Sequence, residues 1–551
     1  MSGRADLIVE GRIATLAGDA GFGWEEAIGI AAGRVVAAGS RADVEAAGDR
    51  RTRRLALGPD EVAIPGLTDA HLHLAETSVA AAQVDLSHDP TLAAGLVRIR
   101  AAHVALADPA AWLLGHGWDS DRWGGWPTAD DLEETAPGRT MAVWAHDHHS
   151  LWTSRAALEL AGVDPGMADP DGGEIRRRPD GTPTGVLHEA AAGLVAQLTP
   201  PPSADDLVAA IPGVARELRS LGVVALHDPG DLTADASLSR AYVAYARLDD
   251  AGGLPLRIHA SLRQEALETA ADRGLRSGMP LGSTPDARAR VGWQKLFADG
   301  SLGSRTAALL EPFAVEPDRP LGHGRERGIF TTQPSVLAGL TARAADAGIA
   351  TQIHAIGDAA LRAALDALGP HARRLPLVPR VEHVQLVDPA DLPRFSRLGI
   401  AASIQPVHLR SDAAQARRLW GSRAEPSSYR WRSLADSGAL IPFGTDAPVE
   451  PFDPWPGIAI AVTRADASWP PGTPAFGIHE SLTLARALRA ACVDAALAAG
   501  EVDRGRLTPG HRADLVVLSS RVLDEPVVVG GPLATARPRL VLMDGRTVFE
   551  A

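Results

Sequence analysis

The sequence predicts an α/β protein: a (β/α)8 TIM-like barrel, a small composite β-sandwich domain formed by both termini, and a long insertion after the first barrel strand. Three observations carry this prediction. Eight strand-like runs alternate with helical stretches in the middle of the chain. Short β-type runs occupy both ends. One interval between runs is far too long for an ordinary strand-to-helix connection.

At the N-terminal end, residues 6–15 (DLIVEGRIAT) and 27–38 (AIGIAAGRVVAA) are short apolar runs separated by turns. At the C-terminal end, residues 514–518 (DLVVL) and 539–549 (RLVLMDGRTVF) are of the same kind, and Asp544-Gly545 between two apolar runs is a hairpin signal. Pairing the two ends gives one domain of residues 1–61 and 505–551. The middle of the chain is then inserted into it.

The barrel spans residues 62–504. Its strands are read at 62–71, 222–228, 256–262, 291–299, 349–358, 380–385, 400–406 and 439–446. Ala/Leu/Arg-rich stretches such as 335–347 and 358–368 have helical spacing between them. An open doubly wound sheet is the alternative; it is disfavoured by the count of strands and by the lack of a GxGxxG after any of them. The long interval defines an insertion subdomain, residues 80–215, expected over the active-site mouth. Half of the 12 Trp residues lie in it: Trp112, Trp118, Trp123, Trp126, Trp144 and Trp152. They form either a substrate lid or the insertion's own core.

Of the 551 residues, 45% are hydrophobic and 22% charged, which suits a folded chain with a sizeable core. The net charge of −14 argues against nucleic-acid or anionic-membrane partners, which need a positive field. A single cysteine, Cys492, excludes an intrachain disulfide and a cysteine-rich zinc module. No apolar run is long enough for a membrane span, and Asp6 and Glu10 interrupt any leader-like run at the start. A cytoplasmic location is the expectation. Expected partners are a small-molecule substrate and, as an open option, a second copy of the chain in a homodimer.

Against one cysteine stand 18 histidines. His71 and His73 form an H-x-H pair at the end of the first barrel strand, and residues two apart on a strand face the same side. His354 and His383 lie at the ends of the fifth and sixth strands, and Asp446 ends the eighth. Imidazoles and a carboxylate projecting into one mouth suit a divalent metal, zinc first, with iron and manganese as competitors. Lys295 sits within the fourth strand. Burial there either pairs it with an acid such as Asp299 or leaves a neutral amine able to take up carbon dioxide as a bridging carbamate.

The ordered set of PGLTDAHLHL, KLFADGSLGSRTAAL, HAIGD, VEHVQ, IQP and FGTDAPVEP resembles the amidohydrolase superfamily. Within it the chain is most similar to the amidohydrolase family 3 branch, which includes N-substituted formamide deformylase-like enzymes. GHGWD (115–119), HDHHSLWTSRAAL (146–158) and the closing GRLTPGHRADLVVL extend the likeness over essentially the whole chain. His148 stands where a glycine is more usual, which leaves open whether His148, His149 or neither reaches the substrate.

The resemblance implies that His71, His73 and Asp446 hold one metal, and that His354 and His383 hold a second, bridged by N-carboxylated Lys295. One or two ions are compatible with the family. It implies a hydrolase that cleaves a C–N bond (amide, formamide or carbamate-like) with a metal-activated hydroxide. Asp446 would act as ligand, as acid–base catalyst, or as both. Trp118, Asp119, Asp147, His149 and Arg305 are the candidate substrate contacts. His227-Asp228, at the end of the second strand, is a candidate support for a ligand histidine. Ester or lactone hydrolysis at the same site is the nearest alternative, and a non-catalytic binding or regulatory homologue the more distant one.

Overall fold

The computed structural model describes residues 4–18, 20–145, 150–170, 173–230, 239–303, 305–315 and 326–551. The chain forms two compact units, Met1–Ala75 with Ile211–Ala551, and Glu76–Ala210.

The first unit opens with β1 (Leu7–Ala14), β2 (Trp24–Ala31), β3 (Arg34–Gly39), β4 (Arg53–Ala56), β5 (Glu61–Pro65) and β6 (Leu67–Asp69). The second unit contributes β7 (Val84–Asp85), β8 (Leu113–Trp118), β9 (Met141–Ala145), β10 (Ser150–Thr153), β11 (Gly173–Arg177) and β12 (Pro183–Glu189). The first unit resumes with β13 (Val223–Asp228), β14 (Arg257–Arg263), β15 (Ala289–Phe297), β16 (Thr351–Ala355), β17 (Arg380–His383) and β18 (Ala401–Ser403). It ends with β19 (Leu515–Ser519), β20 (Leu540–Met543) and β21 (Arg546–Glu550).

Strands from both chain ends share one eight-stranded sheet, ordered β21-β20-β19-β5-β1-β2-β3, with β4 beside β1. Alternate residues (Val9, Ile13, Ile28, Ile30, Leu515, Val517, Leu540 and Leu542) build its apolar core. The β20–β21 hairpin turns on Asp544 and Gly545 with φ of 49° and 68°, the left-handed pair that a two-residue hairpin needs.

At Gly66 the chain leaves this sheet for another. Its N–H still bonds Asp514 O (3.0 Å), while the next residue, Leu67, donates to Gly222 O (3.0 Å). A Cβ at Gly66 would stand 2.6 Å from Val224 Cγ2, so any side chain would wedge the two sheets apart.

The second sheet runs β6-β13-β14-β15-β16-β17-β18, all strands parallel. Helices such as Ala204–Ser220, Arg240–Asp250, Pro334–Asp346 and Asp358–Leu368 make the crossovers. Both faces of such a sheet are buried, and its strands mix apolar residues with buried polar ones such as His227, His259, Gln294, Lys295, Gln352, Arg380 and Glu382. Residues 439–446, read from sequence as an eighth strand, run between the two free edges as irregular backbone. Ala402 donates to Leu440 O (2.9 Å) and Gly444 to Ile404 O (3.1 Å) on one side. On the other side Ala70 donates to Phe443 O (2.8 Å) and Asp446 to His71 O (2.6 Å). Pro442 has no N–H to offer a ladder and Asp446 is left-handed (φ 63°), so regular pairing is confined to Phe443.

The second unit is a six-stranded sheet, β11-β12-β10-β9-β8-β7. Trp118 and Trp152 are fully buried in it, and their indole N–H groups bond Val143 O (2.8 Å) and Thr128 O (2.8 Å). Among the described residues, no helix is long and apolar enough to cross a membrane. Cys492 is buried, its Sγ 3.6 Å from Pro65 O, in the packing position its helical surroundings predict.

The two sheets of the first unit are tied by charge as well as by chain. Arg257 of β14, nearly buried, bonds Asp514 (2.8 Å) and Asp544 (2.6 Å) of the terminal sheet. Removing one partner of a buried pair strands the other charge, at a cost of about 3–5 kcal/mol. Arg257→Met is therefore expected to lower the urea unfolding midpoint sharply. Arg521→Met, which breaks the exposed Arg521–Glu525 pair, should shift it by no more than ~1 kcal/mol in equivalent stability.

Candidate metal centre

The H-x-H pair follows β6 directly, and a buried carboxylate fixes its backbone. Asp69 accepts from His71 N (3.0 Å), Thr445 N (3.1 Å) and Thr445 Oγ1 (2.6 Å), so one side chain clamps the segments that carry His71 and Asp446. Burial raises the Asp69 pKa to about 6 against these hydrogen bonds. The two segments approach so closely that a Cβ on Gly444 would lie 2.5 Å from His71 N.

Three imidazoles of the centre can be assigned a tautomer from what the outer nitrogen meets. His71 Nδ1 lies 2.7 Å from Glu382 Oε2. Burial opposes ionisation of Glu382, but the Arg380 guanidinium and His71 hold its carboxyl well below the usual range, so it only accepts. His73 Nδ1 faces Gly230 O (3.2 Å), and His354 Nε2 faces Gly300 O (2.9 Å). A carbonyl or carboxylate only accepts, so the nitrogen facing it carries the proton. The other nitrogen of each ring keeps its lone pair: Nε2 in His71 and His73, Nδ1 in His354.

The lone pairs of His71 and His73 converge on Asp446. Its Oδ1 stands 3.3 Å from His71 Nε2 and 3.5 Å from His73 Nε2. Its Oδ2 stands 3.3 Å from His408 Nε2 and 4.0 Å from His383 Nδ1. The rings of His354 and His383 are 4.5 Å apart, centroid to centroid. His383 (φ 72°), Val384 (φ 47°) and Asp446 (φ 63°) all adopt the left-handed conformation that side chains disfavour. Strain of this kind, concentrated on two ligand candidates, is a mark of a site whose side chains are aimed at a cost.

Supporting residues continue inward. Glu382 is held by Arg380 (Nε to Oε1, 2.6 Å), which also bonds Gln352 Oε1 (2.5 Å) and His227 Nδ1 (2.9 Å) and lies over the Trp293 ring. His227 thus accepts from a cation and lends support through Arg380 and Glu382 to His71. Asp228 accepts from Gly230 N (2.8 Å) and from the Tyr245 hydroxyl, and so shapes the turn whose carbonyl faces His73.

Lys295 is buried, and burial lowers its pKa to about 8. It does not pair with Asp299. That carboxylate instead accepts from Ala308 N (2.8 Å), Ile356 N (3.0 Å) and Gly357 N (2.8 Å), anchoring the turn after His354, and burial raises its pKa to about 7. Among the described residues no carboxylate stands within ion-pairing distance of Lys295 Nζ, and the Phe297 ring lies 5.0 Å from it.

The other described sequence candidates are not among the grouped ligand atoms. Trp118 is in the apolar core of the second unit, and Asp119 accepts from Arg122 N (3.1 Å) there. Arg305 is left-handed (φ 56°) in the loop after β15. Asp147, His148 and His149 lie outside the described residues. Sequence reasoning missed His408, two residues beyond the IQP run. It closes the short helical turn Pro406–His408, five residues past the end of β18, where strand periodicity gives no signal. Sequence reasoning also missed Glu382 and Arg380, whose charges alternate along the short, wholly buried strand β17.

The donor set fits a divalent cation. His71, His73 and Asp446 present three ligand atoms within 4.8 Å of one another, as do His383, His408 and Asp446. His383 Nδ1 is buried without a hydrogen-bond partner among the described residues. A neutral imidazole left so is costly unless something electrophilic meets it.

Comparison with known proteins agrees with this chemistry. The sequence profile of the amidohydrolase family matches residues 60–549. Protein LONG AFTER FAR-RED 3 of Arabidopsis thaliana is 32% identical over 95% of this chain and 88% of its own length. N-substituted formamide deformylase of Arthrobacter pascens is 26% identical over 94% of each chain. The crystal structure of a metal-dependent hydrolase from Pyrococcus horikoshii superposes with a TM-score of 0.74 at 25% identity, covering 95% of this chain and 98% of that one. A buried histidine–carboxylate centre of fixed tautomers, within a profile match of this extent, makes the chain a member of the amidohydrolase family and a metal-dependent hydrolase of carbon–nitrogen bonds.

Proposed function

We propose that the protein cleaves an amide, formamide or carbamate-like C–N bond of a small molecule. His71, His73 and Asp446 would hold one divalent cation, zinc first. His354 and His383, with N-carboxylated Lys295, would hold a second. The observation that carries the ligand assignment is the set of three imidazoles whose outer nitrogens are each tied to an acceptor, leaving the inner nitrogens free of protons. The activity for which the Arthrobacter pascens relative is named supports the choice of bond. A burial-lowered pKa, and the lack of an ion pair among the described residues, support carbamate formation at Lys295, since only the neutral amine adds to carbon dioxide.

A cation bound there supplies Lewis acidity towards a carbonyl oxygen and water that ionises near neutral pH. The chain's own residues do the rest. Asp446, bracketed by imidazoles on both oxygens, takes the proton from the attacking water and passes it to the leaving nitrogen. Glu382 keeps the His71 proton on Nδ1. Trp118, Asp119, Asp147, His149 and Arg305 belong to the same proposal as substrate contacts, to be judged by KM against kcat in alanine variants. For the scaffold, we read residues 439–446 as the eighth stave closing a (β/α)8 barrel, and the terminal sheet as a composite β-sandwich domain. Hydrogen bonds from that stretch to both free sheet edges support the first reading.

A panel of N-acyl and N-formyl amines with matched esters tests the reaction; hydrolysis of the esters alone would replace the C–N reading with an ester one. Asp446→Asn is expected to lower kcat by at least ~10²-fold while retaining most bound metal. Undiminished turnover would end the acid–base role. Glu382→Gln is expected to weaken metal binding about 10–100-fold by equilibrium dialysis, because the carboxylate that fixes the His71 tautomer is lost. Metal analysis of Lys295→Ala should show fewer ions per chain; an unchanged count of two would rule out the bridging carbamate.

A further inference from the structure

Among the described residues, several buried polar atoms without hydrogen-bond partners stand at the ends of β17 and β18. Gln405, 4% exposed, has neither its Oε1 nor its Nε2 hydrogen-bonded, and Gln385, 3% exposed, has a bare Oε1. Ser403 Oγ is bare as well. These residues stand at or just beyond the C-terminal ends of β17 and β18, neighbouring strands about 4.8 Å apart. Ser403 pairs in register with Glu382, whose side chain reaches His71, and by two-residue alternation Gln405 continues the same inward row. Three residues past Gln405, His408 meets Asp446.

The orientation of Gln385 is settled by its neighbour. Its Nε2 donates to Asp412 Oδ2 (2.9 Å), which also accepts from the Tyr429 hydroxyl (2.9 Å). An amide flipped the other way would set oxygen against a carboxylate, so Oε1 is the atom left to accept. Gln405 adds one acceptor and one donor. The pair therefore offers two acceptors and one donor, all uncharged. A carboxylate ligand, which only accepts, would meet two oxygens with nothing to give them. An ester has no N–H for either oxygen. The complement is a neutral group carrying both N–H and C=O.

We propose that Gln405 and Gln385 form a hydrogen-bonding subsite that selects N–H-bearing substrates (secondary amides, carbamates or ureas) over the corresponding esters. The proposal rests on the C–N hydrolase reading and sharpens it, because it names the residues that make the enzyme prefer nitrogen. A site built to hydrogen-bond a substrate N–H discriminates strongly against an analogue lacking it, since the analogue leaves the buried partner unpaired.

The test uses the full-length protein with its native metal, and compares wild type with Gln405→Leu and, as a second packing solution, Gln405→Met. N-benzylformamide and benzyl formate are the substrate pair. The formamide-to-formate ratio of kcat/KM is expected to fall at least about tenfold in either variant. Metal content should be unchanged and the thermal midpoint equal or higher, because an unpaired buried amide has been replaced by an apolar group. A ratio that stays constant, or a midpoint that drops with loss of metal, overturns the subsite and makes Gln405 a structural residue. A calorimetric arm separates this from failure of the hydrolase reading. In an Asp446→Asn background, N-benzylformamide should bind more tightly than N-benzyl-N-methylformamide, which lacks the N–H, and Gln405→Leu should erase the difference. Should wild type hydrolyse neither substrate, this arm still decides: discrimination erased by Gln405→Leu supports the subsite, and equal binding of the two formamides overturns it.

Discussion

A histidine serves a cation only while one ring nitrogen keeps its lone pair, and the structure around the centre depends on that constraint. The ring's second nitrogen must meet an acceptor, and the acceptor must be held in turn. For His71 the acceptor is Glu382, held by Arg380, which is itself held by Gln352, His227 and the face of Trp293. For His73 it is a carbonyl in a turn shaped by Asp228, and for His354 a carbonyl in the loop next to Asp299. The interior beside the parallel sheet is polar at this level because neutral imidazoles of defined tautomer require it. The cost of burying Arg380 and Glu382 is met by their mutual pairing, which explains why neither occurs alone.

Much of this was legible in the sequence. The H-x-H spacing, the histidines at later strand ends and Asp446 needed only strand periodicity and the rule that strand ends face one mouth. Both helices singled out by spacing formed where they were read, at Pro334–Asp346 and Asp358–Leu368. What was not legible depends on three-dimensional pairing. Arg380 and Glu382 are two charges in a short strand, and nothing local distinguishes them from an exposed edge. His408 follows a proline turn, where periodicity stops helping. The stretch at 439–446 reads as a strand by composition, yet Pro442 and a left-handed Asp446 keep it irregular.

The inserted unit illustrates a different limit. Its tryptophans could be read either as a lid or as a core. Trp118 and Trp152 are wholly buried with their indole N–H groups satisfied by carbonyls, which is core behaviour. Trp126 is 39% exposed, with the Arg176 guanidinium 4.5 Å above its ring. Composition identified the aromatic cluster, but each ring's partners had to be seen before its packing was known.

The crossing at Gly66 bears on how the protein is made. β5 is paired by β19, a strand synthesised several hundred residues later, and β6, one glycine on, leads straight into His71 and His73. On a ribosome delivering residues in order, these two ligand candidates emerge long before the strand that anchors them. Pairing over such a separation in sequence forms slowly. A chain released before β19 would carry every histidine of the candidate centre yet lack the strand that pairs beside the first two.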